Sequence, residues 1–208
     1  VKSGHVESII KVNDDTINRF NDVHADPLGR VFAGTIGKNW TDVGGLYRFE
    51  PDGSFKKVAF GSTCSNGMAF SPDEKILYWH CTTRRTIYRF NYDRNTGDIT
   101  NQNPFYVVPE SEGSPDGTAM DIEGNLWSAR WGGSRVVVIN PDAKLIDQID
   151  FPVPNITCPF FGGENGNELF VTTAGGGKTG SQHDEGALYR VVTKTQGRSR
   201  FLSKIHPG

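Results

Sequence analysis

The 208-residue chain has only 3 cysteines and 2 methionines. It has no basic excess: 22 Lys and Arg stand against 24 Asp and Glu, a net charge of -2. That balance gives no footing for nucleic acid or an anionic membrane as a partner. No apolar run approaches the roughly 18 to 20 residues that a membrane span needs. Cys64, Cys81 and Cys158 lack metal-ligand spacing and read as reduced, mostly buried thiols, which favours a cytoplasmic location. Two Asn-x-Thr triplets, at Asn39 and Asn155, would carry a glycosylation meaning only in a secreted protein. No segment sustains a 3.6-residue period, so essentially no helix is expected.

What the chain does have is turn chemistry: 25 Gly, 11 Pro and 11% aromatic residues suit an all-β protein. Four hairpins of one design begin at Asn21, Asn66, Asp116 and Thr157, at spacings of 45, 50 and 41 residues. The clearest runs from Ser114 to Arg130 through an Asp121-x-x-Gly124-Asn125 turn, with Asp116 set between Pro115 and Gly117. Each hairpin is followed by a third strand (Leu46–Phe49, Ile87–Phe90, Val136–Ile139, Leu188–Val191). A fourth strand is expected at Phe55–Phe60, Phe105–Val108 and Leu145–Phe151. A period of 40 to 50 residues with four strands per unit is the mark of β-propeller blades. The chain reads as one domain over residues 1–208, with about four and a half blades. His5–Val12 is expected to be the outer strand of a half-built N-terminal blade, an incomplete piece of a larger propeller, because exposed sheet edges are normally avoided.

In a propeller, matching positions of successive inner strands surround one channel mouth. Asn21, Asn66 and Asp116 would meet there, two amides and one carboxylate, an all-oxygen set suited to a hard cation such as Ca²⁺ or Mg²⁺. Alternatively these residues only begin tight turns, since Asn and Asp side chains bond the local backbone. Arg19 lies two residues before Asn21 and could hold an anionic or carbonyl-bearing ligand.

Several segments taken together carry a family resemblance: Arg19-Phe-Asn21-Asp22, Asp26–Thr35, Gly45-Leu-Tyr47, Ser65-Asn66-Gly67, Ser114–Gly117, Asp121–Trp127 and Phe161-Gly-Gly163. In this order they resemble the senescence-marker-protein/gluconolactonase/luciferin-regenerating-enzyme family, the regucalcin-like proteins. The resemblance implies a six-bladed propeller with one divalent metal in its channel, and hydrolysis of a sugar lactone or related cyclic ester. It implies Asn66 and Asp116 as metal ligands, Asp116 also as the catalytic carboxylate, and Arg19 with Asn21 as the substrate-holding pair. Ca²⁺ is the first expectation for the metal, with Mg²⁺, Mn²⁺ or Zn²⁺ as alternatives. The family's remaining metal ligand, a Glu in its first blade, has no match in this chain. Two departures bear on the substrate. Cys81-Thr82 stands where the family usually has Asp followed by Ser or Thr, and Lys38 and Asn39 stand where some lactonases carry an acidic contact. A non-catalytic propeller that binds Ca²⁺ or a ligand is the competing function.

Other signals carry less. Ala174–Gly180 looks like a phosphate loop but reads as a surface loop, and no Ser nucleophile elbow is present. The five histidines show no metal spacing, and His24 is expected to pack or line the channel. The four tryptophans are expected between blades, with Trp131 also placed to line a mouth.

Overall fold

The computed structural model describes residues 8–175 and 185–205. Its fifteen strands form three four-stranded antiparallel sheets and one three-stranded sheet, each built from consecutive strands. The first blade comprises β1 (Ile17–Ala25), β2 (Val31–Gly37), β3 (Gly44–Phe49) and β4 (Phe55–Ser62). The second comprises β5 (Ser65–Phe70), β6 (Ile76–Cys81), β7 (Thr86–Tyr92) and β8 (Ile99–Val107). The third comprises β9 (Ser114–Met120), β10 (Leu126–Trp131), β11 (Arg135–Ile139) and β12 (Leu145–Asp150). The fourth comprises β13 (Ile156–Gly162), β14 (Glu168–Thr173) and β15 (Leu188–Val192). The innermost strands β1, β5, β9 and β13 pack one on the next, which is the arrangement of a β-propeller. Helix is confined to two single 3₁₀ turns among the described residues.

The strand expected over His5–Val12 is absent in its described part. Ser8–Val12 is not a strand, and residues 1–7 lie outside the described residues. The segment instead leads along the first blade, where Asp14 accepts a hydrogen bond from the Tyr47 hydroxyl. The outer strand β8 begins at Ile99, six residues before the predicted Phe105. Its extra residues, Thr100 to Pro104, are exposed on a sheet edge, so they carry no hydrophobic pattern to read. Most of the predicted loop Ala174–Gly180 and of His183–Glu185 falls outside the described residues.

The core lies between blades. Phe32 and Leu46 pack with Phe70, Leu77 and Trp79 between the first and second. Tyr78 and Ile87 meet Met120, Leu126 and Ile139 between the second and third. Trp127, Val136 and Val138 meet Leu169 and Val171 between the third and fourth. At the hairpin tip, Asp121 holds the turn by accepting from the Glu123 and Asn125 backbone N–H groups at 3.0 and 2.8 Å and from the Trp127 indole at 2.9 Å. Gly124 sits there at φ +88°, where a side chain would be strained. The C-terminal stretch then crosses the far ends of the inner strands. Arg198 donates to the Met120, Phe70 and Ser71 carbonyls and pairs with Glu74, and the Phe201 ring lies 6.1 Å from that of Phe70.

Candidate active site

Every inner strand is broken in register at the same height. In the first three blades two residues oppose one on the partner strand: Asn21-Asp22 against Gly34, Asn66-Gly67 against His80, and Asp116-Gly117 against Ala129. In the fourth, Thr157 is the extra residue. These are β-bulges, which re-aim side chains out of the regular alternation. Asn21, Asn66 and Asp116 therefore sit at bulges inside strands, and not at the hairpin turns that their residue types also suit, while Arg19 is paired with Ile36 just before the first bulge. Glycine at the second bulge position lets neighbouring inner strands close up. A Cβ on Gly67 would lie 2.7 Å from the Asp116 carbonyl oxygen, and one on Gly117 would lie 2.7 Å from that of Thr157.

The bulges turn Asn21, Asn66, Asp116 and Thr157 into one cavity of about 450 Å³, which Arg19, Ile36, Trp40, Cys64, Thr82 and Trp131 also line. All four predicted residues, Arg19, Asn21, Asn66 and Asp116, are thus brought together. A chain of hydrogen bonds joins Arg19, Asn21 and Asn66 and ends on the carbonyl of Pro115, the residue before Asp116. Arg19 Nη1 donates to Asn21 Oδ1 at 2.7 Å, and Asn21 Nδ2 donates to Asn66 Oδ1 at 2.7 Å. Asn66 Nδ2 donates to Thr82 Oγ1 at 2.7 Å, and Thr82 donates to the Pro115 carbonyl at 2.7 Å. The His80 ring lies behind Asp116, with Nδ1 2.7 Å from the Asp116 carbonyl oxygen. A carbonyl only accepts, so Nδ1 carries the proton and donates.

The electrostatics of the cavity centre on Asp116. Burial and the neighbouring Asp22 carboxylate push its pKa up to about 7. Burial also raises Asp22, and pushes the Cys64 thiol up to about 11, so Cys64 is no nucleophile at neutral pH. A carboxylate raised in this way is one lacking a counter-charge, and a cation in the cavity would stabilise its ionised form. Asn66 Oδ1 and the Asp116 oxygens suit a hard divalent ion in chemistry, although two residues supply fewer than the six to eight oxygens that Ca²⁺ takes. Among the described residues no group of three His, Cys, Asp or Glu side chains could hold a metal.

The structure corrects the reading of one tryptophan. Trp79 and Trp127 fill gaps between blades and Trp131, 43% exposed, lines the mouth as its place after a hairpin suggested, but Trp40 is 61% exposed and also walls the cavity. It also decides the first departure: Cys81 is wholly buried, 3.2 Å from the Ser62 hydroxyl, and does not line the cavity. Thr82 and His80 escaped the sequence reading. Neither lies on an inner strand, and only the adjacency of the second and third blades brings them to Asp116. His24 does line the channel, at a second cavity of about 370 Å³ around the far ends of the inner strands.

Residues 1–175 match the family model described as the SMP-30/Gluconolactonase/LRE-like region. The chain belongs to that family. Among members, it is 41% identical over 202 residues to pentonolactonase XacC of Haloferax volcanii, covering 93% of this chain and 69% of the relative. A solved luciferin-regenerating enzyme superposes with a TM-score of 0.89 at 33% identity, covering 97% of this chain and 71% of that one. A regucalcin from Agrobacterium tumefaciens, described as a calcium-binding protein, superposes with a TM-score of 0.79 at 28% identity, covering 88% of this chain and 64% of that one. The chain spans 62 to 69% of the length of curated relatives it matches. No helix among the described residues is long and apolar enough to cross a membrane.

Proposed function

We propose that the protein is a metal-dependent hydrolase of a sugar lactone or a related cyclic ester. The observation that carries this reading is the convergence of the Asp116 carboxylate with Arg19, Asn21 and Asn66 on one cavity. A carboxylate facing that cavity is a positioned proton acceptor for general-base chemistry. The substrate class is that of its relative pentonolactonase XacC. Asn66 Oδ1 and the Asp116 carboxylate would hold the divalent ion, Ca²⁺ first among the candidates. When bound, that ion supplies charge stabilisation for the ring carbonyl oxygen.

The residues of this chain do the rest. Arg19 and Asn21 orient the lactone through its oxygens, since the guanidinium and the amide N–H groups donate. Asp116 takes a proton from water as the water oxygen bonds to the carbonyl carbon. The ring C–O bond then breaks and the ring oxygen takes the proton that Asp116 holds, leaving an open hydroxy acid and restoring the carboxylate. Trp40 and Trp131 offer flat apolar faces against which a sugar ring can lie.

The test is Asp116→Asn in the full-length protein, assayed on a panel of sugar lactones with Ca²⁺, Mg²⁺, Mn²⁺ and Zn²⁺. Asn keeps a carbonyl oxygen for the ion but cannot take the proton. Turnover should fall by about 10² to 10⁴ while calorimetry still detects the ion. Asp116→Ala should lose both. A wild-type protein that binds the ion yet opens no lactone or ester would favour the second reading, a binding propeller, for which the calcium-binding description of its structural neighbour speaks.

A further inference from the structure

We propose that Thr82 is a positioning residue, whose hydroxyl fixes the direction of the Asn66 amide and ties it to the backbone that carries Asp116. This rests on the reading of the cavity given above, in which Asn66 Oδ1 faces a cation. The argument is one of donors and acceptors. The Pro115 carbonyl can only accept, so the single Thr82 proton is spent there, across 2.7 Å. Toward Asn66, Thr82 Oγ1 can then only accept, so the Asn66 atom 2.7 Å away must be Nδ2. Asn66 Oδ1 is thereby forced to the opposite side.

The far end of the chain agrees independently. The Ser65 carbonyl, 3.0 Å from Asn21 Nδ2, can only accept, and Arg19 Nη1, 2.7 Å from Asn21 Oδ1, can only donate. Asn21 therefore presents an N–H to Asn66, and Asn66 must present its oxygen in return, at 2.7 Å. That oxygen keeps a second lone pair. Reversing the Asn66 amide would set two donors against each other at Asn21 and turn an NH₂ group toward any cation.

Thr82 also belongs to a two-point clamp. His80 and Thr82 alternate about Cys81 at the end of β6, so both face the third blade while Cys81 faces Ser62. They bind the two consecutive carbonyls of Pro115 and Asp116, at 2.7 Å each, at the bulge that aims the Asp116 carboxylate. The sensitive position in the Cys81-Thr82 pair is therefore the second.

Thr82→Val has the same shape without the hydroxyl, and Thr82→Ser keeps the hydroxyl without the methyl. Thr82→Ala repeats the loss of the hydroxyl should Val not be accommodated. In the full-length protein, Val or Ala should weaken Ca²⁺ binding and lower kcat/KM by roughly 10- to 100-fold, the usual cost of removing a partner of a metal ligand. Ser should stay within about threefold of wild type, and thermal midpoints should move little in all three. A third readout needs neither metal nor substrate. By nuclear magnetic resonance of the metal-free protein, the Asn66 side-chain N–H protons should exchange with solvent slowly in wild type and Ser, and faster in Val or Ala. Unchanged binding, turnover and exchange in Val and Ala would overturn the proposal. So would a Ser variant as impaired as Val, which would assign the effect to the methyl group. Should wild type neither bind the ion nor open a lactone, the function falls, and the exchange comparison alone judges the role of Thr82.

Discussion

At Arg19 the side chain is exposed at the cavity wall, and among the described residues its guanidinium bonds only the Phe20 carbonyl, at 3.0 Å, and Asn21. Neither partner is an anion, so the charge is available to a ligand. Arg19→Ala should raise KM for a sugar lactone roughly tenfold or more, about the strength of one hydrogen bond to a charged group, while kcat changes less. Initial-rate measurements over a wide substrate range check it. A loss confined to kcat would place Arg19 in the chemical step and remove it from substrate positioning. Asn21, Asn66 and Asp116 were legible in the sequence because they stand at one height of a repeating unit, and Arg19 through its place two residues before Asn21 and the family resemblance. His80 and Thr82 were not, because their role depends on which carbonyls the next blade places beside them.

At the scale of the element, the bulge is the device that makes a site from a strand. Asn66-Gly67 and Asp116-Gly117 are turn-forming pairs by composition, and here they supply the bulge pairs of two inner strands. Gly67 offers a direct test. A Cβ there would meet the Asp116 carbonyl oxygen at 2.7 Å, His80 Nδ1 at 2.8 Å and the Thr118 backbone nitrogen at 2.9 Å. Two of these atoms are main chain and the third is a buried ring, so none can swing aside. Gly67→Ala should cost about 1 to 3 kcal/mol, as overpacking does, and should depress activity further by shifting Asp116. Denaturant unfolding and an activity assay check both. Wild-type stability with wild-type activity would show that the inner strands can separate without consequence.

At the scale of the molecule, buried histidines set part of the acid response. Burial and the charges of Arg200 and Arg198 push His24 down to about 4, and burial pushes His80 down to about 3. An unfolded histidine titrates near 6.5. Between about 4 and 6.5 the unfolded chain thus binds protons that the folded chain refuses, so these groups stabilise the fold near neutral pH and cease to as pH falls. Asp116 acts in the opposite sense, because a raised carboxylate favours the fold at low pH. A difference measurement separates the two. The gap in thermal midpoint between wild type and His24→Gln should shift against wild type as pH drops from 7 to 5. A constant gap would mean that His24 is not held neutral by its surroundings.

The sequence by itself determined the all-β class, the repeating unit, the third strands and the polar positions of the site. Each of these rests on local chemistry, namely alternation, turn residues and periodic recurrence. An expected strand over His5–Val12, absent in its described part Ser8–Val12, needed a sheet partner, and pairing is not written in a short segment alone. The tertiary structure alone decided that Trp40 and Thr82 share the cavity and that Cys81 does not. It also set the state of Asp116, since burial and the nearby Asp22 charge are properties of neighbours far apart in the chain. The physical reason is the same in each case. Hydrogen-bond direction, desolvation and carboxylate repulsion act through space over a few ångströms, and only the packing of one blade on the next fixes those distances.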